Sequence, residues 1–284
     1  MVRRGRSIFG VGSRAMQPTL RRATIRLRKS VRRYLAHPRL QQPFRLLYRI
    51  ALAGMNYGGA GSYLSAGDEL ALKRVAKRRE SGRSPVIFDV GANVGSYTNQ
   101  VLEICGEDVV VYAFEPSAAA FARLQNEVGA RPQVHLVRAG IGAKRGTATL
   151  WSDAPGSVLA STYVNPVNAN VAGEQIEIET LDEYCETHGI THIDLLKLDL
   201  EGGELDALRG AKRLLDAGAI ELVQFEFGQP SLGARTYFVD LFEMLHPRYE
   251  IFRVLPKGLE RLAGYHETLE VFMSTNYLAI KSTR

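Results

Sequence analysis

From Pro85 onward, apolar runs of strand length alternate with amphipathic stretches of helical period. Val86–Asp89, Val109–Phe114, Val134–Val137, Ile193–Leu198 and Ile220–Phe227 are nearly continuous runs of β-branched, aromatic and leucine side chains, as expected of strands covered on both faces. Between them, Val94–Ile104, Ser117–Val128, Glu204–Leu215 and Thr236–Leu245 place apolar residues at helical spacing. Thr180-Leu181-Asp182-Glu183 is a capping box that opens a further helix to His188. Gly146–Trp151 and Ile176–Glu179 read as an inserted strand pair around a polar segment, Ser152 to Gly173. Tyr249–Val254 and Leu269–Ile280 close the chain as a hairpin-like end. This alternation predicts an α/β fold: a parallel sheet wrapped by helices through right-handed crossovers. Ligands on such sheets bind outside the carboxyl ends of the strands, near the point where strand order reverses.

Charge divides the chain where hydropathy alone does not. Of the 36 Lys and Arg residues, fourteen lie within residues 1–67, and no acid precedes Asp68. Residues 68–284 therefore hold 22 basic against 30 acidic residues, a net of −8 hidden by the overall +6. We divide the chain accordingly into a basic extension, 1–67, partly helical or disordered, and an acidic body, 68–284. Asn56 to Ser62, rich in glycine, reads as a flexible joint, and Asp68 to Arg79 as a helix leading into the first strand. An acidic body is a poor nucleic-acid groove, so no nucleic-acid partner is expected. In the extension, Ile25, Leu27, Val31, Tyr34 and Leu35 recur at roughly helical spacing among arginines. Three readings of it stand: a solvated arm, an interfacial helix docking on anionic lipid, or a segment resembling an organelle transit peptide. No run of about 18 apolar residues exists to span a membrane, and no secretory signal is expected. The expected location is cytoplasmic, with the arm as the feature that could bring peripheral membrane contact. Cys105 and Cys185 fall in separate helices with neither disulfide-framework nor zinc spacing, as two buried thiols in a reducing compartment would.

The strand ends carry the chemistry. After the first strand come Asp89, Gly91, Asn93 and Gly95, a tight turn into a helix whose glycines admit close backbone approach to a ligand. Gly91 and Gly95 lack the third glycine and spacing of a dinucleotide fingerprint, and no Lys-Ser/Thr follows as in a P-loop. An acid here repels a pyrophosphate but suits the ammonium of an amino-acid-like ligand, which favours S-adenosylmethionine over NAD or ATP. The second strand ends in Glu115-Pro116, where an acid can accept both hydroxyls of a ribose. Ala139 and Ile141 follow the third strand, small and apolar enough to cover an adenine. The fourth ends in Asp199-Leu200-Glu201-Gly202-Gly203-Glu204. If the strand geometry continues, Asp199 and Glu201 share one face, able to bind the ligand's amino group, act as general base or hold a divalent metal. Glu204 belongs to the next helix, favourable for its dipole. Glu226 ends another strand at the same edge, and His266 lies in a loop.

From about Val86 to Ile280 the chain resembles the FkbM-type S-adenosylmethionine-dependent methyltransferases. The resemblance rests on residues 89–98 (Asp-Val-Gly-Ala-Asn-Val-Gly-Ser-Tyr-Thr), 113–116 (Ala-Phe-Glu-Pro), 180–184, 199–211, 224–228 and 276–280. The family's serine-rich stretch after the third strand is thinned here to Ser152, Ser157, Ser161 and Thr162. The resemblance implies a doubly wound, class I fold of seven strands with the last antiparallel, and methyl transfer to a hydroxyl of a sugar, glycan or small natural product. On this reading Asp89, Gly91, Asn93, Gly95, Glu115, Ala139, Ile141 and Asp199 face the cofactor. Asp199, Glu201 and Glu226 are the candidate catalytic acids, with no resident metal. Two alternatives remain: a metal-assisted O-methyltransferase, and a non-catalytic binding protein on the same fold.

Overall fold

The computed structural model describes residues 18–59, 68–77, 82–163 and 172–283. Its frame is a sheet of eight strands: β1 (Val86–Val90), β2 (Val110–Phe114), β3 (Val134–Val137), β7 (Ile193–Leu198), β8 (Ile220–Phe227), β9 (Tyr249–Leu255), β10 (Gly258–Arg261) and β11 (Thr275–Lys281). Their order is β10-β9-β11-β8-β7-β1-β2-β3. The chain builds outward from β1 through β2 to β3, then returns to lay β7 on the other side of β1. The switch point therefore falls between β1 and β7. β1, β2, β3, β7 and β8 are parallel, and β11 runs antiparallel between β8 and β9. The seven strands and the reversed last strand are those expected.

Short β10 adds an eighth strand and takes the role of hairpin partner to β9. Of the Leu269–Ile280 run, only Thr275 onward is strand, and Leu269 ends a 3-10 turn that begins at Glu267. The inserted pair is present as β5 (Gly146–Ser152) and β6 (Ala172–Glu179), antiparallel to each other. With two-residue β4 (Gly140–Ile141) they form a separate three-stranded sheet.

Helices cover both faces of the large sheet. One face, carrying Ile87, Val111, Ala113, Leu195, Leu222 and Leu278, packs against α3 (Asp68–Lys77), α4 (Ser96–Cys105) and α5 (Ala118–Val128). The other, carrying Phe88, Phe114, Leu196, Val223, Phe225 and Tyr277, packs against α6 (Leu181–His188), α7 (Glu204–Gly210), α8 (Lys212–Asp216) and α10 (Phe238–Leu245). Strand residues alternate between the two cores, which is why these runs are apolar at most positions, with Asp89, Asp194, Lys197 and Gln224 as buried polar exceptions. Each fully buried Phe or Leu contributes about 2 kcal/mol by removal from water.

The expected helix 204–215 divides at Ala211. Gly210 meets the Gly142 carbonyl so closely that a Cβ there would stand 2.1 Å from its oxygen, and α8 restarts beyond that contact. Between β8 and α10 a short α9 (Pro230–Ala234) fills part of what the sequence leaves as loop.

In the extension, α1 (Pro18–Leu35) and α2 (Gln41–Gly54) are helical. The end of α2 is fastened to the body. Leu52 and Tyr57 are buried, Asn56 Nδ2 donates to the Val254 carbonyl at 2.9 Å, and the Arg253 guanidinium lies 4.5 Å from the Tyr57 ring centre. Asn56–Gly59 is thus an ordered turn, while the rest of the expected joint, and Arg78 and Arg79 of the helix before β1, lie outside the described residues. Among the described residues no helix is long and apolar enough to cross a membrane. Both cysteines are buried thiols outside any disulfide, and burial raises Cys185 to about 12.

Candidate active site

The carboxyl ends of β1, β2, β7 and β8 meet at one edge of the sheet, and two strand-to-helix turns dominate it. The first, after β1, runs from Gly91 to Gly95. Gly91, Asn93 and Gly95 have φ of +86°, +48° and +90°, a left-handed backbone that glycine tolerates and asparagine accepts at modest cost. The sequence assigns these glycines to ligand approach, and both also answer to contacts within the protein. A Cβ on Gly91 would stand 1.9 Å from the Asp199 carbonyl oxygen, and one on Gly95 would press on Leu124 at 3.0 Å. The turn is tied to the neighbouring strand as well: the Gly91 and Ala92 amides donate to the Phe114 carbonyl.

Glu115 closes this half of the site. Its side chain accepts from the Asn93 amide at 3.0 Å and the Ser117 amide at 2.8 Å. Burial, reinforced by Asp89 and Glu174 nearby, raises its carboxyl to about 7 against the pull of those hydrogen bonds. Asn93 Oδ1 is buried and has no hydrogen-bond partner. An unpaired acceptor beside a carboxylate with free lone pairs is a fit for a ligand presenting hydroxyl or amino donors. Ala139 is buried where the chain leaves β3. Ile141 is also buried, but it belongs to the core and to β4, so its side chain is shared with the α6–α7 packing.

Asp89 takes a different place from the one expected. It is fully buried under α4, where Oδ2 accepts from the Thr98 hydroxyl at 2.7 Å. The ammonium beside it is the protein's own: Lys197 Nζ lies 3.4 Å from Oδ1. Lys197 is Asp89's lateral neighbour on β7, and Gln224 on β8 continues the row. Tyr97 from α4 completes it, donating to Gln224 at 3.2 Å with its ring 5.0 Å from the Lys197 ammonium. Lys197 also reaches Asp199 at 3.2 Å, so one buried cation joins the two turns. Sequence reasoning passes over this lysine. Its signal is a Lys between leucines in Ile193–Leu198, a buried strand in which a cation seldom sits without a charge partner.

The second turn, Asp199 to Gly203, follows β7. Strand geometry does not continue through it: β7 ends at Leu198, and Glu201 has φ +50°. The expected shared face of Asp199 and Glu201 is therefore absent, and the turn itself brings the acids near each other. Glu204 holds that turn, accepting from the Leu200 amide at 2.8 Å and the Gly202 amide at 3.1 Å. It is the first residue of α7, and burial raises its carboxyl to about 7. Gly202, at φ +107°, lies against the Pro230 carbonyl of α9. Burial raises Glu201 to about 8, with Asp199, Glu226 and Glu204 adding repulsion and Lys197 opposing it. Glu226 stands opposite Asn276 of β11 in the sheet register. Among the described residues no three His, Cys, Asp or Glu side chains are grouped as metal ligands.

A cover spans both turns. After β5, Ser157 accepts on its carbonyl from Asn93 Nδ2 at 3.5 Å, and the Ser161 hydroxyl donates to the Glu201 carbonyl at 2.7 Å. Tyr163 hydrogen-bonds Asp206 on α7. Val158 and Leu159, between these tethers, are exposed. Of the other segments expected around an acceptor, 228–235 flanks the acid turn through α9, whereas Gly258–Arg261 within 256–268 forms β10 at the sheet's far edge. His266 is exposed and caps the 3-10 turn at Glu267.

Comparison with known proteins adds a family. The model of the methyltransferase FkbM domain matches residues 89–254. The chain is 26% identical over 190 residues to the 2-O-methyltransferase NoeI of Sinorhizobium fredii, covering 62% of this chain and 76% of that protein. It is 28% identical over 152 residues to the hexuronic acid methyltransferase AglP of Haloferax volcanii, covering 52% of this chain and 59% of that one. A solved structure of methyltransferase FkbM from Methylobacillus flagellatus aligns with a TM-score of 0.43 at 19% identity, over 69% of this chain and 43% of that one.

Proposed function

The chain belongs to the FkbM methyltransferase family, and from that premise we propose that it moves a methyl group from S-adenosylmethionine to a hydroxyl of a sugar or glycan. The observation that carries the acceptor chemistry is Glu201, raised to about 8 at the strand ends beside Asp199 and Glu226. A carboxylate of that basicity is suited to take a proton from a hydroxyl near neutral pH. The names of the two relatives, one a 2-O-methyltransferase and one acting on a hexuronic acid, support a sugar-type acceptor.

In this reading Gly91, Asn93 and Gly95 supply the backbone that receives the donor, Asn93 Oδ1 and Glu115 accept from its polar groups, and Ala139 and Ile141 flank its base. Asp89 supports the turn from below through Thr98 and Lys197. S-adenosylmethionine supplies a methyl carbon on a sulfonium, which carries the difficult part of the chemistry. The protein aligns the acceptor oxygen, excludes water beneath the 153–163 cover, and removes the hydroxyl proton at Glu201. Asp199 and Glu226 orient the acceptor and keep Glu201 basic. We assign the methyltransferase unit to residues 68–284, with 1–67 appended to it.

Calorimetric titration with S-adenosylhomocysteine tests the donor half. Glu115→Ala is expected to weaken binding at least about tenfold, the loss of one or two charge-assisted hydrogen bonds; unchanged affinity overturns the assignment. Transfer of labelled methyl from S-adenosylmethionine to a panel of hexoses and hexuronates tests the acceptor half, and label recovered in an ether linkage is the expected product.

A further inference from the structure

We propose that the basic extension is a docking surface for an anionic lipid bilayer, with α2 lying in the interface. On α2, Leu46, Leu47 and Ile50 fall on one helical face and are each about three-fifths exposed, as is Tyr48 beside them. Arg45 and Arg49 border that face, one turn apart. Only Leu52 of this helix is buried. On α1, Leu27, Val31 and Tyr34 repeat at heptad spacing, with Leu27 and Tyr34 exposed and Arg26, Arg28, Lys29, Arg32 and Arg33 around them. By sequence, residues 1–67 hold fourteen cationic residues and no acid, so the extension carries a single sign of charge.

Three occupants could cover such a surface, and charge with hydropathy selects among them. A second copy would bring an equally cationic, acid-free arm against this one, and like charges would oppose the contact. A nucleic acid would meet the arginines but leave Leu46, Leu47 and Ile50 in water. An anionic bilayer satisfies both, because headgroups pair with the arginines while the leucines and isoleucine enter the acyl boundary. The attachment is also directional. β9 runs parallel to β8, so Val254, which receives Asn56, lies at the same sheet edge as Asp199 and Glu226.

The test uses the full chain with vesicles of phosphatidylcholine alone and of phosphatidylcholine mixed with phosphatidylglycerol, read by co-sedimentation. Wild type is expected to sediment with the mixed vesicles and not with the neutral ones. Arg45→Gln with Arg49→Gln should lower the partition roughly fivefold for each arginine. Leu46→Glu with Ile50→Glu should lower it roughly tenfold or more. All variants should keep wild-type methyl transfer to a soluble acceptor, which separates lost docking from lost folding. Three results overturn the proposal: no preference of wild type for anionic vesicles, a glutamate pair that sediments as wild type does, or a dimer in light scattering that the glutamate pair dissolves. Tighter retention by duplex DNA than by the mixed vesicles overturns it in favour of a polyanion arm.

Discussion

The turn after β1 and the turn after β7 solve one geometric problem in two ways. Each leaves a central strand at the same sheet edge and enters a helix, and each sets a non-glycine residue at positive φ, Asn93 at +48° and Glu201 at +50°. The first borrows its carboxylate from the end of the next strand, since Glu115 after β2 accepts the Asn93 amide. The second supplies its own, since Glu204 accepts the amides of Leu200 and Gly202. A borrowed clamp spreads the first turn across two strands and leaves Asn93 Oδ1 unpaired as an acceptor. A self-contained clamp frees Glu201 to stay basic among other acids. The same local backbone thus leaves an unpaired acceptor, Asn93 Oδ1, beside one strand and a carboxyl of raised pKa, Glu201, beside its neighbour.

The contact between the two turns is the place to break this comparison hardest. Gly91→Ala drives a Cβ onto the Asp199 carbonyl at a strained φ, and should cost about 4 kcal/mol or more, or prevent folding outright. Urea denaturation measures it, and a loss near 1 kcal/mol would mean the turns are not packed as described. Lys197→Met removes the cation between them, leaving Asp89 buried without its partner. A loss of about 3–5 kcal/mol is expected, largely restored by adding Asp89→Asn.

Glu201→Gln sharpens the contrast on the chemical side. With Glu201 at about 8, the carboxylate form gains as pH rises, so the wild-type rate should climb to about pH 8 and then level. The glutamine variant should lose roughly a hundredfold or more in kcat and show no rise over that range, while binding S-adenosylhomocysteine as wild type does. The mildest test is Ser161→Ala. It deletes one hydroxyl donor to the Glu201 carbonyl, worth about 1 kcal/mol, and should shift acceptor KM before it shifts global stability.

Much of this arrangement is legible because apolar strands that end in an acid are conspicuous. Asp89, Glu115, Asp199 and Glu226 each close such a run, and the structure sets all four at strand ends on one sheet edge. What sequence does not supply is direction. Asp89 points beneath α4 to a lysine far along the chain, and no local pattern announces that pairing. Glu201 reaches Asp199 by a left-handed turn, where alternation suggests a shared strand face. β10 escapes notice because Gly258–Arg261 is short, half polar and lies on an edge, where burial imposes no continuous apolar run. β4 is two residues long, too short for any period to show.

The close approach of Gly91 to the Asp199 carbonyl also bears on how this enzyme could change its clientele. A van der Waals stop between the two turns acts as a spacer of fixed width, so the separation of the two turns is set inside the sheet. The 153–163 cover and α9 lie outside that spacer. Their exposed residues, such as Val158, Leu159 and Leu232, can change without altering that spacing so long as Ser161 and Pro230 keep their contacts with the second turn, and it is there that acceptor preference can diverge most freely.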